Sequence, residues 1–152
     1  MKKTANLEDI KKLRAETSAG VSDVTKALEE ASNDLNKARE LLKKRGAEIA
    51  EKKKERQTFE GIIDSYIHSN GKVGVLLSLL CETDFVARTD DFKSLAHEIS
   101  MQIAAMEPSN VETLLKQAYI RDNSITIEQL IKQTIGKLGE NIKVKEFTRF
   151  EL

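Results

Sequence analysis

The chain of 152 residues has one cysteine, one proline, no tryptophan and no excess of either charge. The lone thiol, Cys81, excludes an intrachain disulfide and a thiolate cluster for a metal, and it suits a reducing interior. No stretch approaches the roughly 18 consecutive apolar residues of a membrane span, so no membrane association is expected. The opening residues, MKKTANLEDIKK, have lysines but no apolar segment behind them, which argues against a secretion signal. The expected location is therefore the cytosol. Lysines and arginines number 25 and so do the acids. That balance removes the simplest argument for a nucleic-acid binder, and no direct nucleic-acid binding is expected. Phosphate-binding and dinucleotide fingerprints are absent too.

What is present is enough for a packed core: 39% hydrophobic and 33% charged residues, in a length that allows one ordinary domain or two small ones. Residues 1–46 have helical periodicity in three sets. Leu7, Ile10 and Leu13 share a face, with Asn6 placed as a cap. Val21, Val24, Ala27, Leu28 and Ala31 follow the break at Gly20. Leu35, Ala38, Leu41 and Leu42 follow the break at "SND" and stop near Gly46. Three short helices with one apolar stripe each can bury those stripes only against one another, as a small bundle. Residues 47–57, "AEIAEKKKERQ", read as a charged helical linker.

Residues 58–152 change character. Asn70-Gly71 between two apolar runs predicts a hairpin with a type I′ turn, in which paired positions sum to 141. The second strand is apolar on both faces. Phe92, Leu95, Ala96, Ile99, Ile103 and Met106 predict a long helix ending before Pro108, with Asp90 as a candidate cap. Residues 107–124 are poorly patterned. A helix is expected over Thr126 to Leu138, closed by Gly139, and "NIKVKEFTRFEL" reads as a last strand. Its apolar phase changes between Val144 and Phe147, which predicts a bulge or strong twist. The expected fold is α+β: a helical bundle, then a three-stranded, mainly antiparallel sheet with packed helices.

An enzyme would need a constellation. In the expected register Cys81 pairs with Glu60 and His68 with Val73, so thiol and imidazole lie far apart, and His97 has no third partner. A half-buried thiol and surface histidines are expected, and no catalytic residue, metal or cofactor. The basic runs Lys43–Arg45 and Lys52–Arg56 lack interleaved aromatics and are diluted by Glu48, Glu51 and Glu55, so they read as a solvated helix face. Two stretches stay open. In "LRAETSAGVSD" the small-residue turn is either a simple helix connection or a partner-facing surface including Arg14 and Val21. In "LCETDFVARTDD", Thr83 or Asp84 is a candidate cap for a helical turn. There Phe85 is a staple on its own helix, a core residue, or a protruding aromatic of the kind that anchors interfaces.

Three separated motifs, "LRAETSAGVSDVTKAL" (13–28), "CETDFVAR" (81–88) and "LGENIKVKEFTRFEL" (138–152), resemble elongation factor Ts in order and spacing. The resemblance covers nearly the whole chain. It implies a ubiquitin-associated-like three-helix domain, an α+β core of the dimerisation type, and guanine nucleotide exchange on elongation factor Tu, in a bacterial cytoplasm or an organellar matrix. Carried over, the docking residues are Arg14, Ala19, Gly20, Val21 and Ser22. The exchange motif is Thr83, Asp84, Phe85 and Val86, with Phe85 as a wedge that disturbs the partner's Mg²⁺ and phosphate site. Ser18 and Ser22 depart from the family pattern, and 107–124 is shorter than in longer relatives. A homodimer is a further expectation by analogy. The rival readings are a non-exchanging adaptor that uses the three-helix module, and an RNA-binding accessory protein.

Overall fold

The computed structural model describes residues 5–17 and 19–152; Ser18 and residues 1–4 lie outside the described residues. The first helices are α1 (Leu7–Thr17), α2 (Val21–Glu30) and α3 (Leu35–Lys53). Asn6 Oδ1 accepts the Glu8 N–H at 3.2 Å, as its position suggested. Asp34 Oδ1 accepts the N–H groups of Asn36 and Lys37, starting α3. Between α2 and α3, Ser32 and Asn33 turn the chain through positive φ. Leu13, Val24, Ala27, Leu28, Ala31, Ala38 and Leu42 form one buried cluster. Leu7 and Val21, at the first positions of their helices, stay exposed.

α3 does not stop near Gly46. It runs on to Lys53 through the segment read as a charged linker, and its Ala50 is buried in the second core. The glycine that suggested a helix end serves a helix crossing instead. A Cβ on Gly136 would lie 2.9 Å from the Gly46 Cα, so backbones meet where side chains would keep them apart.

The second part contains β1 (Glu60–Ile67), β2 (Val73–Cys81), α4 (Asp84–Ala87), α5 (Asp90–Met106), α6 (Val111–Lys116), β3 (Ala118–Tyr119), β4 (Asp122–Thr126), α7 (Ile127–Leu138) and β5 (Lys143–Glu151). The main sheet has the order β1-β2-β5, antiparallel throughout. Glu60 faces Cys81 and Ile67 faces Gly74, the register expected from the sequence. The turn itself differs from a type I′ turn. His68 N–H bonds Val73 O, Gly71 N–H bonds His68 O, and of the turn residues only Gly71 has positive φ, 70°. The loop is thus four residues long, with Asn70 Oδ1 accepting the Lys72 N–H. Both turns preserve the same strand pairing. The predicted phase change is a bulge: Ser78 faces Glu146 but Leu79 faces Val144.

On the inner face of the sheet Val75, Leu77, Leu79 and Cys81 are buried under α5, whose Phe92, Leu95, Ala96, Ile99 and Ile103 complete the layer. Each fully buried large side chain there contributes roughly 1.5–3 kcal/mol. Thr89, not Asp90, caps α5: its Oγ1 accepts the Phe92 N–H at 3.2 Å, which leaves Asp90 as the first helical residue. The poorly patterned region holds α6 and the β3–β4 pair, whose few residues are too short to display a period. No described helix is long and apolar enough to cross a membrane.

The α3–α7 crossing gives a direct test. Gly136→Val should lower stability by ~1–3 kcal/mol through overpacking. Thermal denaturation followed by circular dichroism would show this as a reduced Tm, and an unchanged Tm would contradict the close approach.

Candidate partner-binding surface

The expected exchange motif, Thr83 to Val86, lies on the connector between β2 and α5. Thr83, in extended conformation, caps the single turn of α4, with its Oγ1 accepting the Val86 N–H at 3.4 Å. Asp84 pairs with Arg88 four residues on, at 2.6 Å. Thr89 Oγ1 donates to Val86 O at 2.7 Å, and Cys81 Sγ donates to Thr83 O at 3.1 Å. Ala87 is buried and Val86 packs half-buried against the main core. A four-residue helix with these two residues turned inward leaves the next side chain outward. Phe85 is 78% exposed. It is not a core residue, and Val86, expected as a contact residue, is half-buried against the main core.

The second candidate region is the α1–α2 turn. Thr17 Oγ1 donates to Leu13 O at 2.7 Å and accepts the Ala19 N–H at 3.3 Å, which closes the end of α1. Gly20 takes the N-cap position of α2 with φ −62°, an ordinary extended conformation. Arg14, Gly20, Val21 and Ser22 are exposed, whereas Ala19 is half-buried against the bundle core. Ala19 and Gly20 line a cleft of about 550 Å³ whose opposite wall includes Gln133, Gly136 and Lys137 of α7. Thr83, Asp84, Phe85 and Val86 do not line it, so the two regions are separate patches on one body.

The nucleophile candidates remain apart. His68 Nδ1 lies 3.2 Å from Tyr66 Oη, and the Tyr66 ring meets His97 edge-on at 5.8 Å. Cys81 lies at the opposite end of the hairpin and is fully buried rather than half-buried. Burial first, and then the negative charge of Glu140, push its thiol pKa up to about 11. Such a thiol is a poor nucleophile near neutral pH. Among the described residues no group of three or more His, Cys, Asp or Glu is placed to hold a metal. The basic runs are partly engaged: Arg45 pairs with Glu30 at 2.7 Å, and Lys54 with Glu51.

Comparison with known proteins bears on the same elements. The family described as Elongation factor TS matches residues 82–152, from the exchange motif to the last strand. Elongation factor Ts of Thermotoga neapolitana is 42% identical, over 97% of this chain and 96% of that protein. That of Rippkaea orientalis is 41% identical over 95% of this chain and 77% of the relative. The protein from Rubrobacter xylanophilus is 37% identical, covering 96% of the chain and 98% of its own length. The chain belongs to the elongation factor Ts family. The aligned span with the Thermotoga protein is 190 residues, longer than this chain, so the relative carries additional residues within it.

The residues that hold the turn carrying Phe85 were not visible in the sequence pattern. Glu140 Oε1 accepts the Thr83 N–H at 3.0 Å, and its Oε2 accepts from Thr83 Oγ1 at 2.7 Å. Glu82 Oε1 accepts the Asn141 N–H at 2.8 Å. Asn141 Nδ2 donates to the carbonyls of Lys54 and Arg56. Glu140 and Asn141 stand in the quoted motif "LGENIKVKEF", but as residues just past a helix end nothing local marks them as supports.

Cys81 makes stability depend on alkaline pH with a defined sign. Its folded pKa, about 11, is above the ordinary 9.0. The stabilisation is therefore complete below about pH 9 and is lost as pH rises through about 11, by roughly 2–3 kcal/mol. Denaturant melts from pH 8 to 11 should show that decline, reduced in Cys81→Ala; an equally steep decline in the variant would exclude Cys81 as its source.

Proposed function

We propose that this chain is a guanine nucleotide exchange factor that binds elongation factor Tu in its GDP form and promotes GDP release during translation elongation. The observation that carries the reading is Phe85: a large aromatic, 78% exposed, on a turn held from both sides by side-chain hydrogen bonds. An exchange factor needs no acid, base or cofactor of its own. It must bind nucleotide-free partner more tightly than nucleotide-bound partner, and linkage then requires it to weaken nucleotide binding by the same factor. A firmly mounted apolar side chain can supply that difference, since little ordering entropy is lost when it enters the partner. In this reading Phe85 inserts into the partner's G domain and perturbs its GDP and Mg²⁺ site, with Thr83 and Asp84 shaping the mount. Arg14, Gly20, Val21 and Ser22 dock the amino-terminal bundle, and Ala19 supports them. The bacterial relatives suggest the cytoplasm as the place of action.

The outer face of the sheet supports a second copy as a further partner. Ile67 and Phe150 flank Gly74 in one row across the strands, and Leu76 and Ile63 follow on the same face; all four are exposed. An exposed apolar face of this kind can meet its own copy about a two-fold axis. Sedimentation equilibrium should give a dimer that Leu76→Lys dissociates; a monomeric wild-type protein would refute it.

Labelled-GDP release from purified elongation factor Tu tests the main reading. Phe85→Ala should keep the wild-type circular dichroism spectrum while stimulated release falls by at least about tenfold, the scale of an interface anchor. Val21→Asp should instead raise the concentration needed for half-maximal stimulation and leave the maximum near wild type. A wild-type protein that leaves release at its basal rate would point to the adaptor reading.

A further inference from the structure

We propose that Glu140 is a positioning residue for Phe85, acting as the missing half of a helix capping box. In such a box the cap's hydroxyl accepts a backbone N–H three residues on, and an acid or amide at that third position accepts the cap's own N–H. The chain builds one complete local box at α7. There Thr126 Oγ1 accepts the Gln129 N–H at 3.2 Å, and Gln129 Oε1 accepts the Thr126 N–H at 2.8 Å.

α4 has only the first half locally. Thr83 accepts from Val86, but Val86 is apolar, turned into the core, and has nothing with which to accept the Thr83 N–H. Glu140, 57 residues later in the chain, provides that acceptor. Its second oxygen accepts a hydrogen bond from the Thr83 hydroxyl, which orients the hydroxyl lone pairs towards Val86. Both bonds are charge-assisted, and so stronger than neutral ones.

The arrangement resolves a conflict in the sequence. A polar residue at position 86 would cap the turn but could not pack beneath it, and a single helical turn is unstable without help. Importing the carboxylate leaves Val86 and Ala87 to anchor the turn while Phe85 points outward. Gly139, with φ 77°, ends α7 immediately before Glu140. Loss of the carboxylate frees the Thr83 end of the turn, and Phe85 loses its fixed direction.

This inference rests on Phe85 being the exchange residue, and two readouts separate the claims. Cys81 is the sole cysteine, is buried, and donates to Thr83 O, so thiol labelling in the native protein reports opening of the turn without reference to any partner. In Glu140→Ala, labelling at neutral pH should accelerate on the order of tenfold, the scale of losing roughly one charge-assisted hydrogen bond. Glu140→Gln also removes the negative charge that adds to burial in raising the Cys81 thiol pKa, yet it can still accept the Thr83 N–H and donate to its hydroxyl. It therefore serves as the reference: Glu140→Ala should label clearly faster than Glu140→Gln, and Phe85→Ala should label near the wild-type rate. Stimulated GDP release from elongation factor Tu should fall about tenfold in Glu140→Ala, recover in Glu140→Gln, and show no further loss when Glu140→Ala is added to Phe85→Ala.

Labelling of a folded Glu140→Ala protein no faster than that of Glu140→Gln would overturn the clamp. Independent, additive losses in the double variant would overturn action through Phe85. Full release by Phe85→Ala alone would refute the wedge, and the labelling result would still decide whether Glu140 holds the turn. Should Glu140→Ala fail to fold, Glu140→Asp, shorter by one methylene, poses the same question, with faster labelling expected and a wild-type rate overturning the clamp.

Discussion

The four residues that follow α7 are where the molecule is tied together. Gly139 O accepts the Lys53 ammonium at 2.5 Å, Glu140 holds Thr83, Asn141 spans to Lys54, Arg56 and Glu82, and Ile142 is buried in the main core. Two segments distant in sequence meet there: the stretch that leads from the end of α3 towards β1, and the exit from β2. Each is a chain end or connector whose backbone groups lack regular partners, and such groups must find hydrogen bonds when they are covered. A short loop rich in donors and acceptors meets that demand in several places at once.

Rigidity follows from this arrangement. The bundle is joined to the core by one continuous helix, and that helix crosses α7 at backbone contact through Gly46 and Gly136. The same α7 delivers Glu140 to the motif that carries Phe85. The α1–α2 turn and the protruding aromatic are thus separate patches with a common support. For an exchange factor this matters energetically: binding energy gained at one patch is available to act at the other only if the connection between them does not bend.

Much of the fold was legible. The β1–β2 register followed from Asn70-Gly71 and the flanking apolar runs, and it survived a different turn because both loops close on the same pairs. The bulge opposite Ser78 and Leu79 was visible as a phase change in β5. Errors came where two residues compete for one role. Thr89 and Asp90 can each cap a helix, and only the geometry of the preceding turn chose Thr89. Gly46 resembles a helix end in sequence, yet a neighbouring helix needed the space. α6 and the β3–β4 pair are too short for periodicity to register.

For the site, the sequence by itself determined the residue types, their order and the oddity of Phe85 among polar neighbours, because composition and spacing are local properties. It also brought the family resemblance. Only the tertiary structure decided that Phe85 faces solvent while Val86 and Ala87 face inward, and that Cys81 is fully buried. Only it joined Glu140 to Thr83. A hydrogen bond across 57 residues leaves no periodic trace in a sequence; it exists because the sheet and α7 bring two chain ends within about 3 Å of each other.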